Sequence, residues 1–210
     1  MDLTALTFGV GRAESPAASS ILSLIFRGTA LVVDATSAMR SAKIPLSADP
    51  SRAPFRIYRD IRFSLDKRPY KTNVGAYLSQ GGLHDGSGGL YVHIQPERSF
   101  MAMAFYQLDR PALERWRRAM AKKPARFQAM LRALRRHRLT MSDEHETLRR
   151  MPRGYESMAS SPIAKYFRMS SFMVSERLTD EDVSSPRLVG RMVRFAKKAK
   201  PLLDFGRTID

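Results

Sequence analysis

The stretch "LYVHIQPE", residues 90–97, alternates apolar and polar side chains. Leu90, Val92 and Ile94 share one face of such a strand; Tyr91, His93, Gln95 and Glu97 share the other. A histidine there could act as a general acid–base, because imidazole changes charge near neutral pH. Asp60 is the carboxylate that could orient it, which makes His93 and Asp60 the candidate catalytic pair. The competing reading is a surface or hydrogen-bonded sheet histidine.

Positive charge gathers in "RIYRDIRFSLDKRPYKT", residues 56–72. Its six cations, Arg56, Arg59, Arg62, Lys67, Arg68 and Lys71, face only Asp60 and Asp66 and alternate with Ile57, Tyr58, Ile61, Phe63 and Tyr70. Strand alternation turns Ile57, Ile61 and Phe63 inward and leaves Arg56, Tyr58, Asp60 and Arg62 on the opposite face. The turn that follows brings Lys67 and Lys71 near the same end. Two carboxylates cannot neutralise six cations. Guanidinium forks match phosphate and carboxylate, so these six residues form the candidate anion-binding set. The alternative is an ion-pair lattice that pins strand and turn and adds little stability if exposed.

Other chemistries lack their residues. The chain has no cysteine, which excludes disulfides, thiolate metal sites and cysteine nucleophiles and suits a reducing, cytoplasmic compartment. His84, His137 and His145 stand without zinc-type or HExxH spacing, and there is no Gly-x-Ser-x-Gly elbow. No metal and no cofactor is expected. The glycine-rich "QGGLHDGSGG", residues 80–89, lacks the lysine and Ser/Thr of a phosphate-binding loop and lies between two strands, so it reads as a hairpin loop.

The elements that must position these residues alternate between strand and helix patterns. Strands are expected over 55–63, 70–79, 90–97 and 99–108, a short one near 139, and another over 171–177. Asp109 caps a helix with Pro111 in its first turn and a stripe of Leu113, Trp116 and Met120; Phe127, Met130, Leu131 and Leu134 mark the next helix. Residues 110–138 hold eleven basic residues and one acid, Glu114, and read equally as a solvated face or an anion-binding surface. A helix is expected from Ser161. The last helix, capped by Ser184 or Ser185, carries Arg187, Arg191, Arg194 and Lys198 beside Leu188, Met192, Phe195 and Ala199. Such a helix could lie on a membrane or nucleic acid, or dock on the sheet with its cations in water. Together the patterns indicate a single α+β domain with a mainly antiparallel sheet packed by helices.

The net charge of +16 resides entirely in residues 51–210, since residues 1–50 carry four basic and four acidic side chains. "PLSADPSRAP", residues 45–54, reads as an extended linker. The apolar run at 19–33 is too short to span a membrane and is interrupted by Arg27, so a helix is expected in place of an exported leader or a transmembrane segment. Residues 1–40 are expected to pack poorly, with residues 41–210 forming the α+β domain.

The segments "YRDIRFSLDKRPYKTNVGAYLS", "GLYVHIQPERSF", "SSFMVSERLTDE" and "PLLDF", in this order, resemble the family known as domain of unknown function 2461, of bacteria and fungi, over about residues 45–205. The resemblance implies a single α+β domain with a mainly antiparallel sheet and implies no established activity. Family members usually open with two helices and an Asn-rich, Trp-Phe-containing turn, which residues 1–30 lack, and tend to have a lysine where this chain reads "RMSS", residues 168–171.

Two functional classes follow. The first is a basic domain binding an anionic ligand, nucleic acid or a phosphorylated small molecule, through the six cations and His93. The second is an enzyme on a phosphate- or carboxylate-bearing substrate, with His93 as general acid–base, Asp60 orienting it, and Arg59, Arg62 and Lys71 as clamp. A third possibility is an N-terminally degenerate or mis-started family copy.

Overall fold

A computed structural model describes residues 16–50, 73–82, 88–142 and 148–209, with side chains described from residue 29 onward. Four strands, β1 (Val74–Ser79), β2 (Gly89–Ile94), β3 (Phe100–Phe105) and β4 (Phe172–Arg177), pair antiparallel in the order β1-β2-β3-β4. The register sets Tyr77 opposite Tyr91, His93 opposite Phe100 and Met103 opposite Val174. Side chains alternate across a strand. One sheet face therefore presents Leu78, Leu90, Val92, Met101, Met103, Phe105, Phe172 and Val174, all buried. This is the α+β architecture with an antiparallel sheet that the residue patterns imply.

The helices are α1 (Pro16–Ser41), α2 (Arg110–Lys122), α3 (Pro124–Arg136), α4 (Ala164–Phe167), α5 (Asp180–Ser184) and α6 (Leu188–Arg207). Asp109 caps α2 by accepting the Ala112 N–H at 2.8 Å, with Pro111 in the first turn. All four stripe residues of α3, Phe127, Met130, Leu131 and Leu134, are buried, as are Leu188, Met192, Phe195 and Ala199 of α6. Helix α6 packs on β3, α1 and α3. Trp116 lies at the centre of the core, stacked on Phe172 at 4.0 Å and 9°, with the rings of Phe105 at 5.1 Å and Phe205 at 5.3 Å beside it.

Several boundaries differ from the sequence expectation. Val32, Ala35 and Met39, at helical spacing on α1, have no exposed surface, so residues 29–41 deliver side chains to the core although the composition points to poor packing through residue 40. The connector after α1 bridges to β1 through Ser47 and Ser79, which exchange backbone bonds at 2.8 and 2.9 Å, and the Arg207 guanidinium donates to Pro45 O at 3.0 Å. Residues 139–142 of the short strand expected near residue 139 are not in strand conformation: Leu139 and Met141 are buried, and the Ser142 N–H donates to Met173 O of β4. The helix expected from Ser161 is confined to the single turn of α4, preceded by a 3-10 turn at Glu156–Met158. Ser184 closes α5, and Ser185 receives the Leu188 and Arg187 N–H groups ahead of α6. The strand expected over 55–63 lies outside the described residues.

Candidate functional site

The second face of the sheet carries the polar strip that alternation assigns to it. Tyr91, His93 and Gln95 project from β2 and its continuation, each half-buried. His93 has Tyr91 Oη 3.0 Å from Nδ1 and Gln95 Oε1 3.1 Å from Nε2. Asn73, just before β1, brings its Nδ2 to 3.5 Å from Nδ1 and 3.4 Å from Nε2. A Gln Oε1 only accepts, so Nε2 carries the proton and Nδ1 receives the Tyr91 hydroxyl. The imidazole stacks on Phe100 at 5.0 Å and 21°, and Tyr91 meets Phe100 edge-on at 5.8 Å. Burial pushes the Tyr91 phenol above the ordinary tyrosine value, which favours the neutral donor.

Glu97 does not share this face. Strand β2 ends at Ile94, and Pro96 and Glu97 fall in the turn to β3. There Glu97 takes a left-handed φ of 64°, its N–H donates to Asp180 Oδ1 at 3.0 Å, and Arg177 donates to its carbonyl at 2.7 Å. The other expected site residues, Asp60 and the cations Arg56, Arg59, Arg62, Lys67, Arg68 and Lys71, lie outside the described residues, as do His84 and His145. Of the expected site, the structure describes His93.

A second basic region is fully described. The last turn of α2, the first of α3 and the end of α6 enclose a hollow of about 400 Å³, lined by Arg118, Ala119, Lys122, Lys123, Arg126, Phe205, Thr208 and Ile209. No acid lines it. All four cations are exposed, and none forms an ion pair among the described residues. Arg126 lies over the Phe205 ring at 5.5 Å and donates to Thr208 Oγ1. The one acid of α2 and α3, Glu114, accepts the Tyr155 hydroxyl at 2.5 Å instead. Burial, followed by the bond to Glu114, raises the Tyr155 pKa to about 12. Arg117, nearly buried, donates to Phe167 O at 3.0 Å.

With fold and geometry in place, comparison with known families is decisive for kinship. The family model described as "Conserved hypothetical protein (DUF2461)" matches residues 28–205. The chain belongs to this family. The DUF2461 match begins ahead of the residue 45 start that the sequence motifs mark, and it takes in the buried Val32, Ala35 and Met39 of α1. No curated protein and no solved structure gives a significant match.

The basic stripe of α6 in this DUF2461 chain is partly neutralised. Arg191 pairs with Glu176 at 3.3 Å and with Asp182, and Lys198 reaches Glu176 at 3.3 Å. These residues border a groove of about 380 Å³ with Arg187 and Arg194. Asp182 is also one half of a capping box with Thr179, and the Thr179 backbone and hydroxyl, with Arg191 adding less, hold its carboxyl below the usual range. The residues 179–182 carry the S/T-x-x-D/E signal of a helix start, which identifies α5 from sequence. Among the described residues no cluster of His, Asp or Glu has metal-site geometry, and no helix is long and apolar enough to cross a membrane.

Proposed function

We propose that this DUF2461 chain is a binding domain for an anionic ligand, nucleic acid or a phosphorylated small molecule. One observation carries the reading. Ten of the eleven basic residues at 110–138 are exposed, and the only acid among them is engaged by Tyr155. A face with that imbalance raises the local concentration of anions and speeds their arrival. The six cations of residues 56–72 belong to the same reading as a second contribution. A cytoplasmic location suits it, given the absence of cysteine.

The enzymatic reading, with His93 as general acid–base, draws less support. Both ring nitrogens have neighbours within 3.1 Å, so a substrate would have to displace Tyr91 or Gln95 to exchange a proton.

Fluorescence anisotropy of labelled oligonucleotides and calorimetry with pyrophosphate test the proposal. Binding to at least one probe at low salt is expected. If the oligonucleotide binds as a duplex, log K should fall with log salt at about 0.9 per phosphate neutralised. Absence of binding to both classes at low salt refutes it.

A further inference from the structure

We infer that the hollow between α2, α3 and α6 is a site for a phosphate-bearing small molecule; this rests on the anion-binding reading above and gives it a place and a ligand class. Cations from three elements converge here: Arg118 and Lys122 from α2, Lys123 from the junction, and Arg126 from α3. A ligand of one or two phosphoryl groups would meet all four, with Thr208 at the rim and an apolar patch of Ala119, Ile209 and the edge of Phe205 for the rest of the molecule.

The bland account is that these cations only offset helix ends. Magnitudes decide against it. A helix end carries about half an elementary charge. Lys123 is the C-cap of α2 and Thr208 the C-cap of α6, so two negative ends meet here. Helix α3 also begins at Lys123, without a side-chain cap or an acid in its first turn, and its positive end cancels one of them. Among the described residues, about half a negative charge then faces four positive ones.

Size and shape favour a small molecule over a polymer. Small-ligand sites commonly span about 300–1,000 Å³, and a hollow of about 400 Å³ fits that class. Its four cations fall within nine residues at one helix junction and line a single hollow, whereas a nucleic-acid backbone is followed by cations spread along a track. Arg126 is held in place by Thr208 and by the Phe205 ring, so part of the ordering cost of binding is already met.

The test is isothermal calorimetry of the full chain with pyrophosphate and with adenosine diphosphate. It compares the native protein, Lys122→Glu/Lys123→Glu and, as a control in the α6 groove, Arg187→Glu/Arg194→Glu. Both phosphates should bind the native chain and the control, and the lysine variant should lose about tenfold or more in affinity. Circular dichroism checks folding; should the double variant not fold, Lys123→Gln at an exposed position is expected to show a smaller loss in the same direction. Phosphate binding that the α2–α3 variants leave unchanged overturns the site while anion binding stands. Binding of oligonucleotides alone overturns the ligand class. Binding of neither overturns both readings.

Discussion

The Tyr155 hydroxyl donates to Glu114 Oε1 at 2.5 Å across a separation of 41 residues. The bond ties the segment after residue 148 to α2. It also occupies one oxygen of the only carboxylate of α2 and α3, whose charge still acts on Arg117.

This pair has a pH signature. The Tyr155 pKa is raised to about 12 from 10.0, so the neutral phenol is favoured in the folded state. The stabilisation is fully present below pH 10, falls between 10 and 12, and is gone above the folded value. Tyr155→Phe should lose about 1 kcal/mol at neutral pH, less than a buried bond to a carboxylate because the pair is half-exposed. Urea unfolding of both proteins from pH 7 to 12 checks this: the difference should close at the alkaline end. A constant difference would mean that only packing was lost.

Gly206 and Gly88 lie against the Phe105 ring, and a methyl group at either would fall well inside van der Waals contact with it. Alanine normally stabilises a helix interior by about 0.5–1 kcal/mol relative to glycine. At Gly206 the sign should reverse, with overpacking costing about 1–3 kcal/mol. Denaturant midpoints of Gly206→Ala and of Gly190→Ala on the same helix provide the contrast, since a Cβ at Gly190 meets only the Arg194 guanidinium at 3.5 Å.

Trp116 has 1% of its surface exposed and touches three aromatic rings. Trp116→Ala should cost about 3–5 kcal/mol, and Trp116→Phe clearly less. Chemical denaturation followed by circular dichroism measures both. In the native protein this single tryptophan should emit as a buried indole and shift to the red in one step with global unfolding.

The His93 geometry expects a proton on Nε2 and a bare Nδ1. Nitrogen NMR of the histidine-labelled protein should show that tautomer, and Tyr91→Phe should weaken it by removing the donor to Nδ1. An Nδ1-protonated ring in the native chain would contradict the assignment. His93→Gln should leave phosphate affinity at the α2–α3 hollow unchanged, because the two regions occupy different elements.

Local signals carried most of the fold. The α3 stripe and the β2 alternation were legible because burial follows the periods of 3.6 and 2. Asp109 and Pro111 marked the start of α2 for an equally local reason. The pattern overreached at Glu97, where Pro96 ends the ladder, and near residue 139, where apolar residues are buried without a paired strand. Non-local bonds were beyond it. Nothing near Glu114 in sequence points to Tyr155, and nothing near Arg117 reveals that Phe167 O would hold its guanidinium in the core. For the site, one residue of the expected set, His93, is described, and its neighbours prove to be Tyr91, Gln95 and Asn73. The hollow at the α2–α3 junction needed the third element, α6, whose end is more than 80 residues away in sequence.

The meander joins each strand to the next one along the sheet, whereas the Arg207 to Pro45 bond spans 162 residues and α1 packs on α6. Loop closure must precede the reward of a distant contact. The β1–β2–β3 pairings can therefore assemble early, while the docking of α1 against α6 waits until almost the whole polypeptide has collapsed. During synthesis α1 leaves the ribosome ahead of both elements it packs on, β1 and α6, and until α6 arrives the apolar side that bears Val32, Ala35 and Met39 can be covered only in part.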